Sequence, residues 1–141
     1  MTVEEKIQDF INHLPEPKRN EIAMLHQRIL TLLPGKKLCF ETGVNEEGKV
    51  VSNPNIGYGN YTIHYANGTS RDFFQIGLSP NQTGISVYIM GLKDKGFLSQ
   101  RFGTTIGKAK LTGYCIRFKS INDIQLSVLE EAIREGVFNK R

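Results

Sequence analysis

Residues 61–90, YTIHYANGTSRDFFQIGLSPNQTGISVYIM, contain the patterns that decide the fold. Along residues 61–66, tyrosine and isoleucine alternate with threonine, histidine and alanine, which is the two-residue period of a half-buried strand. Asn67-Gly68 comes next, and this pair is a strong hairpin signal because both residues tolerate positive φ. Residues 71–78 then predict the returning strand of an antiparallel hairpin.

Further strands are predicted on both sides of this hairpin. After a turn at residues 79–82, residues 85–90 are rich in β-branched and aromatic side chains, a composition typical of strands. Residues 114–118 have the pattern of a last strand, and residues 37–42 and 50–51 are candidates for short edge strands. Strands that follow one another by hairpins, with helices at both ends of the chain, indicate an antiparallel sheet.

The N-terminal third predicts a helical hairpin. Thr2 and Glu5 have the spacing of a capping box, in which each side chain satisfies the other residue's free backbone N–H. Pro15 ends the first helix because proline lacks the donor that a helix interior requires. The second helix runs from about Lys18 to the break at Pro34. Apolar side chains recur at helical spacing in both helices: Val3, Ile7, Phe10, Ile11 and Leu14, then Ile22, Leu25, Ile29, Leu32 and Leu33.

The C-terminal part adds a short helix at residues 94–102 and a glycine-rich, lysine-bearing loop at residues 103–113. Ser120 with Asp123 marks the start of a final amphipathic helix. The predicted fold class is therefore α+β: an antiparallel sheet of about five strands, with the N-terminal helical hairpin and the C-terminal helix packed on it. We expect one domain over residues 1–141.

The composition is that of a globular protein without a membrane span. Hydrophobic residues make up 39% and charged residues 23% of the chain, close to the averages of folded domains. No stretch approaches the roughly 20 apolar residues that cross a bilayer, and the acidic start at Glu4 and Glu5 does not resemble a signal peptide. We therefore expect a cytoplasmic protein with no membrane partner. Cys39 and Cys115 should be free thiols, and their spacing predicts no metal site or other cofactor.

The distribution of charge is unusual in the middle of the chain. Between Lys49 and Lys93 the only charged residues are Arg71 and Asp72, and four of the five tyrosines lie in the same span. Such a sheet could form the wall of a pocket for a small molecule, or it could be plain core or an interface with a protein, including a second copy of the chain in a homodimer. The candidate ligand-binding residues are Tyr58, Tyr61, Tyr65, Arg71 and Tyr88.

Arg71 and Asp72 point to opposite sides of a strand because successive side chains alternate. One of the two should face whatever the sheet binds, and the other should face solvent at the end of the hairpin. The competing interpretation is an ordinary pair of charges at a hairpin end. The sequence does not decide which of the two residues faces the site.

Residues 93–119 carry the positive excess of the chain, with seven basic residues and one acid. The glycine-rich loop within them departs from a phosphate-binding loop in its glycine spacing and in having Ala109 where a serine or threonine would hold magnesium. Lys108 and Lys110 are candidate ligand-binding residues on a mobile, positively charged rim. A weak anion or nucleic-acid binder is an alternative function, but the segment lacks tryptophan and aromatic-basic interleaving, so nucleic acid is not the favoured partner.

No catalytic residue is predicted. His64 is the one histidine near the tyrosines, and a single histidine on a strand is more often packed or exposed than catalytic. Ser79 and Ser86 lack the context of a nucleophile elbow. The favoured function is therefore a non-enzymatic binding or interaction module, for a small molecule or a protein, at the tyrosine-rich sheet.

Several short strings, in order along nearly the whole chain, resemble the YdhG-like family of small bacterial domains of unknown function. They are Leu14-Pro15-Glu16-Pro17, Ile56-Gly57-Tyr58-Gly59, Gly77-Leu78-Ser79-Pro80, Tyr88-Ile89-Met90, Gly107-Lys108 before Cys115-Ile116, and Ile121-Asn122-Asp123-Ile124. The resemblance implies an α+β domain with an antiparallel sheet, in agreement with the patterns above.

Some members of that family are labelled frataxin-like intracellular iron chaperones, so the resemblance implies an iron-binding chaperone as a further alternative. Iron needs clustered carboxylates or imidazoles, whereas the acids here are scattered over both ends of the chain and the loop at Glu46 and Glu47. Phe73 stands where the resemblance leads us to expect tryptophan. We predict that the iron-chaperone function does not apply to this chain.

Overall fold

The computed structural model describes residues 1–138 of the 141-residue chain. Its helices are α1 (Val3–Asn12), α2 (Lys18–Leu32), α3 (Phe97–Phe102) and α4 (Leu126–Phe138), with a 3-10 helix at Ile121–Asp123. Its strands are β1 (Leu38–Glu41), β2 (Asn55–Tyr58), β3 (Tyr61–His64), β4 (Ser70–Phe73), β5 (Ile76–Asn81), β6 (Gly84–Ile89), β7 (Lys110–Leu111) and β8 (Cys115–Phe118). The predicted α+β class, with its N-terminal helical pair and C-terminal helix, is confirmed.

Six strands form one antiparallel sheet in the order β1-β2-β5-β6-β8-β7, while β3 and β4 form a separate two-stranded arm. The main sheet thus has one strand more than the predicted five. Strand β2 lies between β1 and β5, and its pattern was not recognised in the sequence because it has only four residues, one of them Gly57. None of the helices within residues 1–138 is long and apolar enough to cross a membrane.

The helices α1, α2 and α4 cover one face of the sheet through their apolar stripes. The predicted capping box begins α1: Thr2 Oγ1 accepts a hydrogen bond from Glu5 N at 3.1 Å, and the Glu5 carboxylate accepts one from Thr2 N at 2.9 Å. Further along, the buried carboxylate of Glu21 on α2 accepts from Ile121 N at 2.8 Å. This bond ties α2 to the 3-10 helix before α4.

Residues that lie directly opposite each other in neighbouring strands point to the same side of a sheet. Tyr58 is opposite Ile76, and both are buried beneath the helices. Gly57 is opposite Gly77, which is opposite Tyr88, and this row points away from the helices. The side of the sheet that carries this second row is called the outer face below.

The strand predicted over residues 71–78 is interrupted at Phe74, because β4 belongs to the separate arm and β5 to the main sheet. The turn predicted at residues 79–82 is shorter than expected, since Ser79 to Asn81 continue β5. Pro80 is tolerated in this strand because pairing with β2 ends at Leu78, so its missing N–H leaves no ladder bond to β2 unmade.

The hairpin signal at Asn67-Gly68 is correct in position, although the turn differs from a two-residue turn. Gly68 N donates to Tyr65 O at 3.1 Å, and Gly68 takes φ of 88° while no described non-glycine residue has positive φ. The turn therefore spans four residues, with glycine in the position that needs the left-handed conformation. Val50 forms an isolated bridge to Val44 rather than an edge strand.

The loop predicted over residues 103–113 is partly ordered. Ile106 is completely buried in the core, Lys108 N donates to Asp123 O at 2.9 Å, and Lys110 begins strand β7 at the sheet edge. The prediction of a loop throughout this segment is wrong, because the apolar Ile106 anchors it. Ser120 caps the 3-10 helix rather than α4, which begins later because residue 124 is extended.

Candidate functional site

A groove of about 420 Å³ crosses the outer face, under the arm formed by β3 and β4. Its aromatic wall consists of four rings: Phe73, Phe74, Tyr88 and Tyr114. This groove, lined also by Arg71, Glu41, Asn55 and Met90, is called the aromatic groove below. It lies on the side of the sheet that the helices leave uncovered.

A pair of glycines makes room for the ring at the centre of the groove. Gly57 and Gly77 are directly paired on β2 and β5, and a Cβ on Gly77 would lie only 2.3 Å from Cε1 of Phe74. The Phe74 ring therefore lies against bare backbone, and it is 3% exposed. Because side chains at these two positions would displace the ring, the glycines set the depth of the groove.

The four rings form a continuous row. The ring centroids of Phe73 and Phe74 are 4.2 Å apart, and those of Phe74 and Tyr88 are 6.3 Å apart. Tyr88 and Tyr114 are stacked, with centroids 6.1 Å apart and an angle of 18° between the planes. Tyr114 is 53% exposed. Phe74 is buried and tilted by 45° to Tyr88, so a planar ligand would make the offset-stacked contact that aromatic rings prefer with the exposed ring of Tyr114.

Arg71 is the member of the central charge pair that faces the groove. Its Cζ lies 5.0 Å from the centroid of the Phe73 ring, a cation–π contact. Asp72 points to the other side of the arm, where its carboxylate accepts a hydrogen bond from Thr62 Oγ1 at 2.9 Å. The sequence left open which of the two residues faces the site, and the structure shows that it is Arg71.

Beside the aromatic row the outer face is polar and partly covered. Ser79 and Ser86 are both completely buried. The Ser79 hydroxyl donates to Pro54 O at 2.6 Å, and Asn81 Nδ2 donates to Ser86 Oγ at 3.1 Å. Among the described residues, Asn55 Oδ1 is the one buried side-chain oxygen or nitrogen without a hydrogen-bond partner. Since Asn55 lines the groove, this unsatisfied oxygen lies within the groove wall.

The Tyr88 phenol and the Cys115 thiol of the outer face are neutral at physiological pH. Burial raises the pKa of the Tyr88 phenol and also that of the Cys115 thiol. Tyr88 can therefore donate a hydrogen bond, while Cys115 is a protonated thiol and a poor nucleophile. Cys39 lies four strands from Cys115 on the same face, about 19 Å at the usual strand spacing. Both cysteines are free, as predicted.

A second cavity, of about 620 Å³, lies at the β7 edge of the sheet. Four cations line it, and it is called the basic cleft below: Lys108, Lys110, Arg117 and Lys119. Asp123 is the acid in its wall, so the cleft has a formal charge of +3. Within residues 1–138, none of the four cations forms an ion pair. A polar hollow of about 310 Å³ shares Tyr88 with the aromatic groove and Arg117 with the basic cleft.

The arginines divide sharply between paired and unpaired. Six arginines lie within residues 1–138. Four of them pair with glutamates: Arg19, Arg28, Arg101 and Arg134. The two in that range without a carboxylate partner are Arg71 and Arg117, and both lie on the outer face.

The structure does not bring together the four tyrosines predicted to share one concavity. Tyr58 is buried on the core side, where its hydroxyl bonds His26. Tyr61 packs against Gly91 in a separate cavity, and Tyr65 is exposed at the end of the arm. Of the four, Tyr88 alone lines the aromatic groove. Strand register separates them, because Tyr58 and Tyr88 stand at positions that point to opposite faces.

The candidate lysines, Lys108 and Lys110, lie in the basic cleft and not beside the tyrosines at the groove. Sequence reasoning did not identify Tyr114, Phe74 or Arg117 as site residues. For Phe74 the available signal was the conjunction of two aromatics with Gly77, since glycine in a strand often marks a close approach of another group.

Acidic residues at the C-terminal helix are already engaged. Each of three glutamates accepts from an arginine: Glu130 from Arg28 at 2.9 Å, Glu131 from Arg134 at 2.6 Å and Glu135 from Arg101 at 3.0 Å. No group of three or more His, Cys, Asp or Glu side chains in the described part of the chain is placed to hold a metal ion.

Comparison with models of protein families, with curated proteins and with solved structures found no match for this chain. The resemblance to the YdhG-like family stays a prediction.

Proposed function

We propose that this protein is a non-enzymatic binding module whose ligand presents a planar group to the aromatic groove. The observation that carries the proposal is the row of four rings beside an unpaired arginine, on the sheet face without helices. Such a surface matches the usual character of ligand sites, which are mostly apolar with a few placed polar groups. Arg71, Asn55 and the Tyr88 phenol are those polar groups here.

Binding is favoured over catalysis by the chemistry of the groove. Its cysteine neighbour Cys115 has a raised pKa because of burial, and so it does not supply a thiolate. Within the described chain, the residues that line the groove include no histidine and one acid, Glu41. Burial raises the pKa of the Tyr88 phenol, so that group does not serve as a general base at neutral pH.

The proposal can be tested with uncharged planar heteroaromatics, such as indole and quinoline, titrated into isotope-labelled protein. Amide and side-chain NMR shifts should concentrate at Arg71, Tyr88 and Tyr114, because stacking on this row changes the ring currents there. Tyr114→Ala should weaken the response, whereas Tyr65→Ala, at the exposed end of the arm, should not. Shifts confined to the helical side of the molecule, or none at millimolar probe, would refute the proposal.

A further inference from the structure

We infer that the ligand of the outer face is single-stranded nucleic acid, with bases stacked in the aromatic groove and phosphates in the basic cleft and at Arg71. This inference rests on the proposed function and names the class of ligand. Proteins that bind single strands without sequence preference combine a cationic track for the backbone with aromatic rings for the bases. The outer face has both parts, and the polar hollow shares a residue with each of them.

The two parts lie on neighbouring strands of the sheet. Tyr88 lies on β6, Arg117 on the neighbouring β8, and Lys110 opposite Arg117 on β7. Arg117 is opposite the residue two positions before Tyr88, so with about 4.8 Å between strands and about 3.4 Å per residue the Cα atoms of the two cations lie roughly 8–12 Å from that of Tyr88. Tyr88 and Arg117 both line the polar hollow.

Cations stand at two separate places along the aromatic row. Arg71 lies beside Phe73 at one end, and Arg117 of the basic cleft shares the polar hollow with Tyr88, the third ring of the row. A ligand with one phosphate would use one of these places, whereas a strand of a few nucleotides places phosphates at several points along its stacked bases. This arrangement favours a strand over a single nucleotide.

The unpaired state of these cations supports a polyanionic partner. Elsewhere in the described chain, arginines are neutralised by glutamates, but Arg71 and Arg117 are not. The four cations of the cleft lie together and form no ion pair within residues 1–138. Their positive charges repel one another until an anion binds. An acidic peptide would satisfy the cleft and leave the row of rings unused. An uncharged planar ligand would do the reverse.

Folding also removes the objection raised by the sequence. The segment 93–119 has no aromatic-basic interleaving of its own, but strand pairing places Arg117 on the strand next to Tyr88, and both residues line the polar hollow. Aromatic and basic residues that alternate across neighbouring strands can bind stacked bases as effectively as residues that alternate along one strand. RNA-binding sheets whose aromatic side chains stack two or three bases are an example.

The test is fluorescence anisotropy of a labelled deoxythymidine dodecamer with the full-length protein. We expect a Kd on the order of 10⁻⁵ M near 50 mM salt, and a slope of log K against log salt of about −2 to −3.5, for three to five phosphates on a single strand. A duplex dodecamer should bind at least about tenfold more weakly, because its bases are not free to stack.

Matched variants separate the two parts of the surface. Lys110→Gln with Arg117→Gln should reduce the magnitude of the salt slope by about 1.4, whereas Lys6→Gln on α1 should leave the slope unchanged. Tyr114→Ala should weaken binding by about 5- to 100-fold with little change in slope, since stacking is not electrostatic. Tyr65→Ala is its control. Melting temperatures within a few degrees of wild type verify that each variant is folded.

The outcomes distinguish this inference from the function on which it rests. If the dodecamer does not bind while the heteroaromatics still shift the groove, the nucleic-acid inference fails and the binding module stands. If thymidine monophosphate binds as tightly as the dodecamer, the ligand is a single nucleotide and the strand is refuted. A salt slope unchanged in the Lys110 and Arg117 double variant also overturns it. If neither probe binds, both proposals fail.

Discussion

The phenol oxygen of Tyr58 lies 2.6 Å from Nδ1 of His26, and this hydrogen bond joins β2 to α2 inside the core. Tyr58 is 1% and His26 is 7% exposed. Burial lowers the pKa of His26 and raises the pKa of Tyr58 above its usual range. At neutral pH the phenol therefore donates to a neutral imidazole. A tyrosine that the sequence assigned to a ligand is committed instead to holding a helix on the sheet.

Tyr58→Phe should reduce the free energy of unfolding by about 1–3 kcal/mol, because it leaves the buried Nδ1 of His26 without a partner. Urea unfolding monitored by circular dichroism measures the change. The control is Tyr65→Phe, where the exposed ring loses no partner among the described contacts and the change should stay within about 0.5 kcal/mol. Equal effects in the two variants would contradict the role assigned to the pair.

Stability should fall as the pH is lowered below about 6.5. The folded state holds the pKa of His26 below its unfolded value of about 6.5 because burial disfavours the charged ring. As the pH falls, the imidazole of His26 is protonated in the unfolded chain before it is protonated in the folded one. Its contribution to the free energy of unfolding is therefore complete above about pH 6.5 and is lost progressively below it.

Urea unfolding at pH 7.5 and pH 5.5 tests this relationship. The difference in the free energy of unfolding between the two pH values should be smaller in His26→Gln than in the wild type. It should persist in His64→Gln, because His64 is exposed on the arm. A His26→Gln protein with the full pH dependence of the wild type would assign that dependence to other groups.

Gly77→Ala should destabilise the fold by about 1–3 kcal/mol, since overpacking forces side chains from their preferred conformations. The new Cβ would lie 2.3 Å from Cε1 of Phe74. The ring must then move out of its place between Gly57 and Tyr88, so NMR signals of Tyr88 should shift as well. Gly113→Ala is the matched control, because its Cβ would meet Lys95 at an ordinary 3.4 Å. A neutral Gly77→Ala would show that the ring is not held against the glycines.

Titration with ferrous iron under anaerobic conditions should reveal no site tighter than about 10 µM, which corresponds to about −7 kcal/mol. The physical reason is that the carboxylates of α4 are engaged by arginines, as for Glu135 with Arg101 at 3.0 Å. Isothermal calorimetry makes the measurement. A stoichiometric micromolar site that disappears when Glu130, Glu131 and Glu135 are replaced by glutamine would reinstate the iron-chaperone alternative.

Sequence patterns predicted well those helices and strands whose formation depends on interactions between residues close in sequence. The capping box at Thr2 and Glu5, the end of the second helix near Pro34, and the strand at residues 85–90 all depend on short-range backbone and side-chain preferences. These interactions join residues that are only a few positions apart, so they can be predicted without knowledge of the tertiary structure. The same reasoning missed β2, whose four residues acquire strand character from pairing on both sides.

The sequence by itself determined the α+β class, the capping box of the first helix and the uneven distribution of charge, because these are properties of composition and local spacing. Only the tertiary structure decided which tyrosine faces outward, that Arg71 rather than Asp72 lines the groove, and that Tyr114 stacks on Tyr88 beside Arg117. Each of these depends on the register between strands far apart in the chain. A shift of one residue in that register would move every side chain of a strand to the opposite face.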